Sequence, residues 1–208
     1  MSAGIFASAR VAGSASLTGT FLQEAADSTD LTTYTYAAQN LGAASSGRVI
    51  VVGVSGRQST ARTITGVTIG GVTATEWGTR GSSQNPLGIW AATVPSGTTG
   101  DVVVTFSSGM LRSRIVMWAV TGGASLSNAS SGTDTATVTG AAGGFIVAVA
   151  NTTGSGSFTW TNATERSDAV NETFTTSSAD ATTVGSTLIT ATPTVASTNG
   201  VVVVAMTP

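Results

Sequence analysis

Ile64-Thr65-Gly66-Val67-Thr68-Ile69-Gly70-Gly71-Val72-Thr73-Ala74-Thr75-Glu76-Trp77 reads as one β-hairpin. Two adjacent glycines supply the pair of positive φ angles that a type I′ turn requires, and that turn has the twist of the strands it joins. A two-residue loop at Gly70-Gly71 pairs Ile69 with Val72 and Val67 with Ala74 on one face. Thr68 and Thr73 then pair on the other. Apolar pattern and turn chemistry agree.

The same grammar extends in both directions. Short runs with period-2 or continuous apolar character predict strands at Leu31–Ala37, Arg48–Val54, Arg62–Ile69, Val72–Trp77, Gly88–Val94, Asp101–Ser107 and Arg114–Thr121. They continue at Thr133–Thr139, Gly144–Asn151, Ser157–Trp160, Thr173–Thr176, Ser186–Thr190 and Gly200–Met206. Gly, Ser, Asn and Pro punctuate the gaps, as in Val94-Pro95-Ser96-Gly97-Thr98-Thr99-Gly100. No stretch keeps a helical period for three turns. The expected fold is all-β: a single antiparallel β-sandwich, jelly-roll-like, over residues 31–208.

Five runs are apolar on both faces: Val49–Val54, Val102–Phe106, Ile115–Val120, Phe145–Ala150 and Val201–Met206. In an alternating β protein these are central strands covered on both sides. A second sheet covers one face; the other meets a neighbouring subunit or simply fills more of the core. The runs do not recur at a fixed period, which argues against a propeller or solenoid.

Residues 1–30 differ from the rest. Rich in Ala, Gly and Ser, with irregularly placed apolar residues, they read as an N-terminal arm or an added edge segment. As an arm, the segment would dock on a neighbour through Ile5, Phe6, Phe21 and Leu22, the candidate assembly contacts.

The 208 residues include no Cys and no His, and all eight basic residues are Arg. A disulfide framework and a Cys/His zinc site are excluded, as are Ser-His and Ser-Lys nucleophile pairs and a Walker A loop. A net charge of −2 gives no footprint for nucleic acid or anionic membranes. No signal peptide is visible, and no apolar run approaches the ~20 residues of a membrane helix. No cofactor is expected.

Acidic residues offer two further chemistries. Glu165, Asp168 and Glu172 cluster near Arg166, and a glycosidase would need two such carboxylates facing each other; a solvated loop with a local ion pair is the simpler reading. Asp27-Ser28-Thr29-Asp30 has oxygen ligands for calcium, yet suits ordinary turn chemistry better. Trp77, Trp90, Trp118 and Trp160 occupy strand positions, and three of the four are expected in the core. An exposed Trp beside Asp or Asn would instead favour a carbohydrate- or receptor-binding module.

An ordered series of segments carries a likeness: Phe21-Leu22-Gln23, Leu31–Tyr36, Arg48–Val54, Val67–Thr75, Val94–Phe106, Gly143-Gly144-Phe145 and Thr164-Glu165-Arg166. It resembles the small Gly/Ser/Thr-rich virion proteins of tailed bacteriophages, from about residue 21 onward. That resemblance implies a non-enzymatic structural role in the virion, as head decoration, head spike or fibre, or tail component. It also implies self-association into a homo-oligomer and docking on other capsid or tail proteins, with no catalytic residues to carry over.

Overall fold

The computed structural model of the chain describes residues 16–183, 186–194 and 199–208. These residues hold seventeen strands and no helix. In the first half they are β1 (Thr18–Asp27), β2 (Leu31–Asn40), β3 (Val49–Arg57), β4 (Ile64–Ile69), β5 (Val72–Thr73), β6 (Thr75–Thr79), β7 (Leu87–Thr93), β8 (Thr99–Met110) and β9 (Arg112–Thr121). The second half contains β10 (Ser125–Gly132), β11 (Thr135–Thr139), β12 (Gly144–Thr153), β13 (Phe158–Thr161), β14 (Thr164–Val170), β15 (Phe174–Thr183), β16 (Ser186–Pro193) and β17 (Asn199–Thr207).

Four antiparallel sheets result. The first half forms an inner sheet, β1-β9-β3-β7-β6, and an outer sheet, β2-β8-β4-β5. The second half forms an inner sheet, β10-β17-β12-β15-β14, and an outer sheet, β11-β16-β13. Three apolar cores separate the four layers. Tyr34, Ile50, Val52, Trp90, Val104 and Phe106 belong to the core between the sheets of the first half. Ile146, Ala148, Val203, Phe158 and Ile189 belong to that of the second. The central core joins the two inner sheets, with Val51, Ile89, Val116 and Trp118 from one and Phe145, Val147, Val202 and Val204 from the other. The all-β, sheet-on-sheet expectation holds, with two such sandwiches stacked back to back.

Both halves wind alike. In the first, β1 pairs with β9, β2 with β8, β3 with β7 and β4 with β5, so one long hairpin is rolled up and its pairs alternate between sheets. The second repeats this with β10/β17 and β12/β15 inside and β11/β16 outside. Registers correspond as well. Thr75 faces Ala91 and Glu76 faces Trp90, with a bulge after Glu76; Thr164 faces Asp180 and Glu165 faces Ala179, with a bulge after Glu165. Similarly, Val51 lies between Ala91 and Trp118 as Val147 lies between Asp180 and Val204. Gly53 and Val149 are therefore equivalent, and they touch. A Cβ built on Gly53 would overlap Val149 Cγ2 and lie 2.7 Å from Val116 Cγ2. A residue that meets its own counterpart sits on the pseudo-two-fold axis. Two valines there would overpack, and a glycine opposite one valine resolves the conflict.

The Gly70-Gly71 turn has φ of 57° and 80°. Its pairing is the expected one, Ile69 with Val72 and Thr68 with Thr73, continued by Ala74 N–H donating to Val67 C=O at 2.9 Å. Of the five doubly apolar runs, four are β3, β9, β12 and β17, the inner strands, and what covers their second face is the other half of the same chain. The fifth, in β8, lies in an outer sheet: Val102, Val104 and Phe106 are buried, while Val103 is only half-buried. Residues 18–27 take the edge-segment alternative, because β1 pairs along β9 from Thr18 to Asp27.

Because Gly53 is the contact between the halves, Gly53→Ala is expected to destabilise by ~1–3 kcal/mol in urea unfolding. Adding Val149→Ala should return part of that loss. Additive losses in the double-mutant cycle would place the two residues out of contact.

Candidate functional site

At one end of the first half, the Gly70-Gly71 hairpin and the connection from β7 to β8 face each other across a groove of about 530 Å³. Leu41, Val72, Val94 and Val103 are its apolar lining, Thr68, Ser96 and Thr99 contribute hydroxyls, and Asp101 is its one charged residue. Gly70, Gly71, Gly97 and Gly100 leave backbone open to the groove. Gly100 is required by the packing, since a Cβ there would lie 2.9 Å from Gly70 Cα.

Arg48 builds one wall. Its side chain is fully buried, and its guanidinium donates to four carbonyls: Nε to Val94 at 2.8 Å, Nη1 to Gly42 at 2.8 Å, and Nη2 to Ser96 at 2.9 Å and Gly97 at 2.8 Å. Burial lowers its pKa below the usual arginine value, and the carbonyl dipoles are what the cation has in place of water. Backbone bonds from Leu41 N–H to Thr98 C=O and from Gly70 N–H to Asp101 C=O, both 2.8 Å, close the frame. Asp101 Oδ1 accepts the Ala38 N–H at 2.8 Å. A loop fixed this firmly by a buried charge is preorganised for a contact.

Two smaller grooves lie on the seam between the halves, and the pseudo-two-fold relates them. One, of about 320 Å³, is lined by Leu17, Phe145, Thr164, Arg166, Asp180 and Thr182 among others. The other, about 200 Å³, has Ala124, Val49, Thr75, Trp77, Ala91 and Thr93 in the matching places. The first is a polar clamp. Asp180 is buried and accepts from Arg166 Nε at 2.7 Å, Arg166 Nη2 at 2.8 Å and, across the seam, Trp118 Nε1 at 2.9 Å. Hydrogen bonding to Asp180 raises the Arg166 pKa. In the second groove the equivalents are Trp77, Ala91 and Val204, and contact is apolar.

The acidic candidates take different partners. Glu172 pairs with Arg112 at 2.6 Å, and Asp168 Oδ2 accepts the Phe158 N–H at 2.8 Å. Glu165 is exposed on β14. None of these three grooves contains two carboxylates, so no opposed acid pair lines them. Asp27 serves its turn, its Oδ1 accepting the Thr29 N–H at 2.7 Å. Among the described residues, no three His, Cys, Asp or Glu side chains form a group suited to a metal.

Two tryptophans, Trp90 and Trp118, are buried, and Trp77 and Trp160 are half-buried, one fewer in the core than expected. Trp160 donates to Ser177 Oγ at 2.8 Å. Phe21 stands edge-on to Trp118 at 5.5 Å, and Leu22 packs against the first-half core, so both expected assembly contacts are partly committed inward. Ile5 and Phe6 lie outside the described residues. Sequence reasoning missed Arg48, which reads there as an ordinary residue ahead of an apolar strand. No family model, no curated protein and no solved structure matches this chain.

Removing the buried guanidinium strands four carbonyls, so Arg48→Met is expected to cost ~2–4 kcal/mol, read as a lower urea midpoint. An unchanged midpoint would mean the clamp carries no net stability. Asp168 tests pH dependence. Burial raises its pKa, the Phe158 N–H opposes the shift, and Glu24 adds to it. A carboxyl with a raised folded-state pKa holds its proton more tightly when folded. It therefore adds stability as pH falls from neutrality towards the ordinary carboxylate pKa of about 4, and loses it as pH rises. Asp168→Asn should flatten that part of the stability–pH profile; an unaltered slope would contradict the assignment.

Proposed function

We propose that the chain is a non-enzymatic structural component of a bacteriophage particle that self-associates and docks on other virion proteins, as a head decoration, spike or fibre, or tail component. The observation that supports this reading best is the distribution of charge. The outer-sheet strands β2, β4, β5, β8, β11, β13 and β16 contain a single charged residue, Asp101. Ten of the other charged residues lie on inner-sheet strands, and Arg80 and Glu172 lie in turns between them. Two outer faces, one with a single charge and the other with none, at opposite ends of the stack suit repeated contacts in an assembly, and little charge there keeps copies apart.

Cross-strand threonines line these faces. Thr135 and Thr161 both flank Thr190, Thr192 faces Thr159, and Thr33 faces Thr105. The rolled-hairpin winding of each half is the one we read as jelly-roll-like. A sugar-binding reading draws no support from the tryptophans, none of which is fully exposed.

Quantitative mass spectrometry of purified particles is the direct test. The chain should occur at a fixed ratio to the major capsid or tail protein. Absence from particles of a host that expresses it would overturn the proposal.

A further inference from the structure

Comparison of the two halves isolates what the first half has added. Four residues separate Ile69 from Ala74, and only two separate their equivalents Trp160 and Ala163. That extension, the Gly70-Gly71 hairpin, faces the connection from β7 to β8 across the 530 Å³ groove. The clamp that fixes one wall, Arg48, has Gly144 as its counterpart, immediately before Phe145 as Arg48 precedes Val49. Two of the groove's determinants, the hairpin and Arg48, thus belong to one half alone.

We propose that this groove receives the N-terminal segment, residues 1–15, of a neighbouring copy of the chain. The inference rests on the self-associating reading above and deepens it. The chemistry matches on both sides. The segment carries Ile5, Phe6 and Val11 with a single charge, Arg10, and no acidic residue. The groove offers an apolar lining and a single carboxylate, Asp101. One oxygen of Asp101 holds Ala38 N–H, which leaves the other for a guanidinium in a charge-assisted bond. Four glycines on the groove let a polypeptide backbone approach closely. No aromatic side chain lines it, so it lacks the stacking platform of a sugar site. Its volume is in the range of ligand pockets, about 300–1,000 Å³.

The point of departure fits as well. A Cβ at Gly122 would lie 2.8 Å from Ser16 C=O, and one at Gly47 would lie 3.8 Å from Gly123 N. Gly47 adjoins Arg48, whose guanidinium holds the groove wall. The segment therefore leaves the fold at the same end as the groove. Fifteen residues span up to ~50 Å when extended, enough to reach an adjacent molecule.

The chain contains no cysteine, so disulfide trapping has a clean background. Full-length Ala7→Cys copies are mixed with full-length Thr99→Cys copies, Thr99 being exposed on the groove rim, and oxidised. Cross-linked dimers should form in clear excess over those from Ala7→Cys mixed with Leu188→Cys, an exposed position on the other outer sheet. Asp101→Asn in the Thr99→Cys copy keeps an acceptor for Ala38 and should lower the yield about tenfold, the loss of one charged contact. Equal yields with Leu188→Cys would overturn the proposal. So would a chain carrying both Ala7→Cys and Thr99→Cys that closes only on itself. Light scattering of the unaltered chain separates the two readings. Oligomers without the cross-link would sink the groove assignment alone, and monomers at every concentration would sink self-association with it.

Discussion

Four strands of this chain are apolar on both faces, and no arrangement of a single sandwich can cover them. A strand in a two-layer sandwich has one face on the core and one face in water, so a Val- and Ile-rich run such as Val49–Val54 would leave half its side chains exposed. The chain meets this constraint by laying one inner sheet against the other, which buries Val51, Trp118, Val147 and Val204 together. The contact is close enough that Gly53 has no room for a Cβ beside Val149. At its margins several polar groups have partners across the seam. Trp118 donates to Asp180, Ser55 and Thr176 share a hydrogen bond, and Arg112 pairs with Glu172. Such pairs orient the halves, while apolar burial supplies most of the stability.

The repeated winding gives each half a counterpart against which its departures can be measured. Equivalent seam positions have diverged from Arg166, Asp180 and Trp118 on one side to Trp77, Ala91 and Val204 on the other, so one groove is a salt-bridged clamp and the other apolar. The outer sheets differ too: the first has four strands and a buried arginine beside it, and the second has three strands. Conserved topology around the axis with altered ends is what a shared core imposes, because a change at the centre disturbs both halves and a change at an end disturbs one.

The Gly70-Gly71 turn and its pairing were legible because turn chemistry and alternation both specify them and neither depends on distant residues; the break of the expected strand Val72–Trp77, whose residues from Thr75 onward cross to the inner sheet and pair with β7, was not. The inner strands were legible as doubly apolar, although the sequence could not say what covers them. Three strands escaped or stayed ambiguous: β1, β10 and β14. All are edges of the inner sheets. Ser125–Gly132 and Thr164–Val170 are polar, with no apolar alternation, and their pairing is decided by the strand beside them. The repeated winding escaped because hydrophobic pattern, rather than residue identity, repeats. Ala74-Thr75-Glu76 and Ala163-Thr164-Glu165 still match, but unequal loops destroy any fixed period. Arg48 was opaque for another reason: its four acceptors come from two separate stretches of chain, Gly42 and Val94–Gly97, and only the fold assembles them.

The central claim is that the two halves share one core and stand or fall together. Native-state hydrogen exchange measures this most directly, since it reports the opening free energy of each strand separately. Amides of β3 and β9 in the first half and of β12 and β17 in the second should exchange only through global unfolding, with one common free energy and one common dependence on denaturant. A markedly lower opening free energy for one pair of strands, with the other still protected, would show two independent sandwiches and contradict the account.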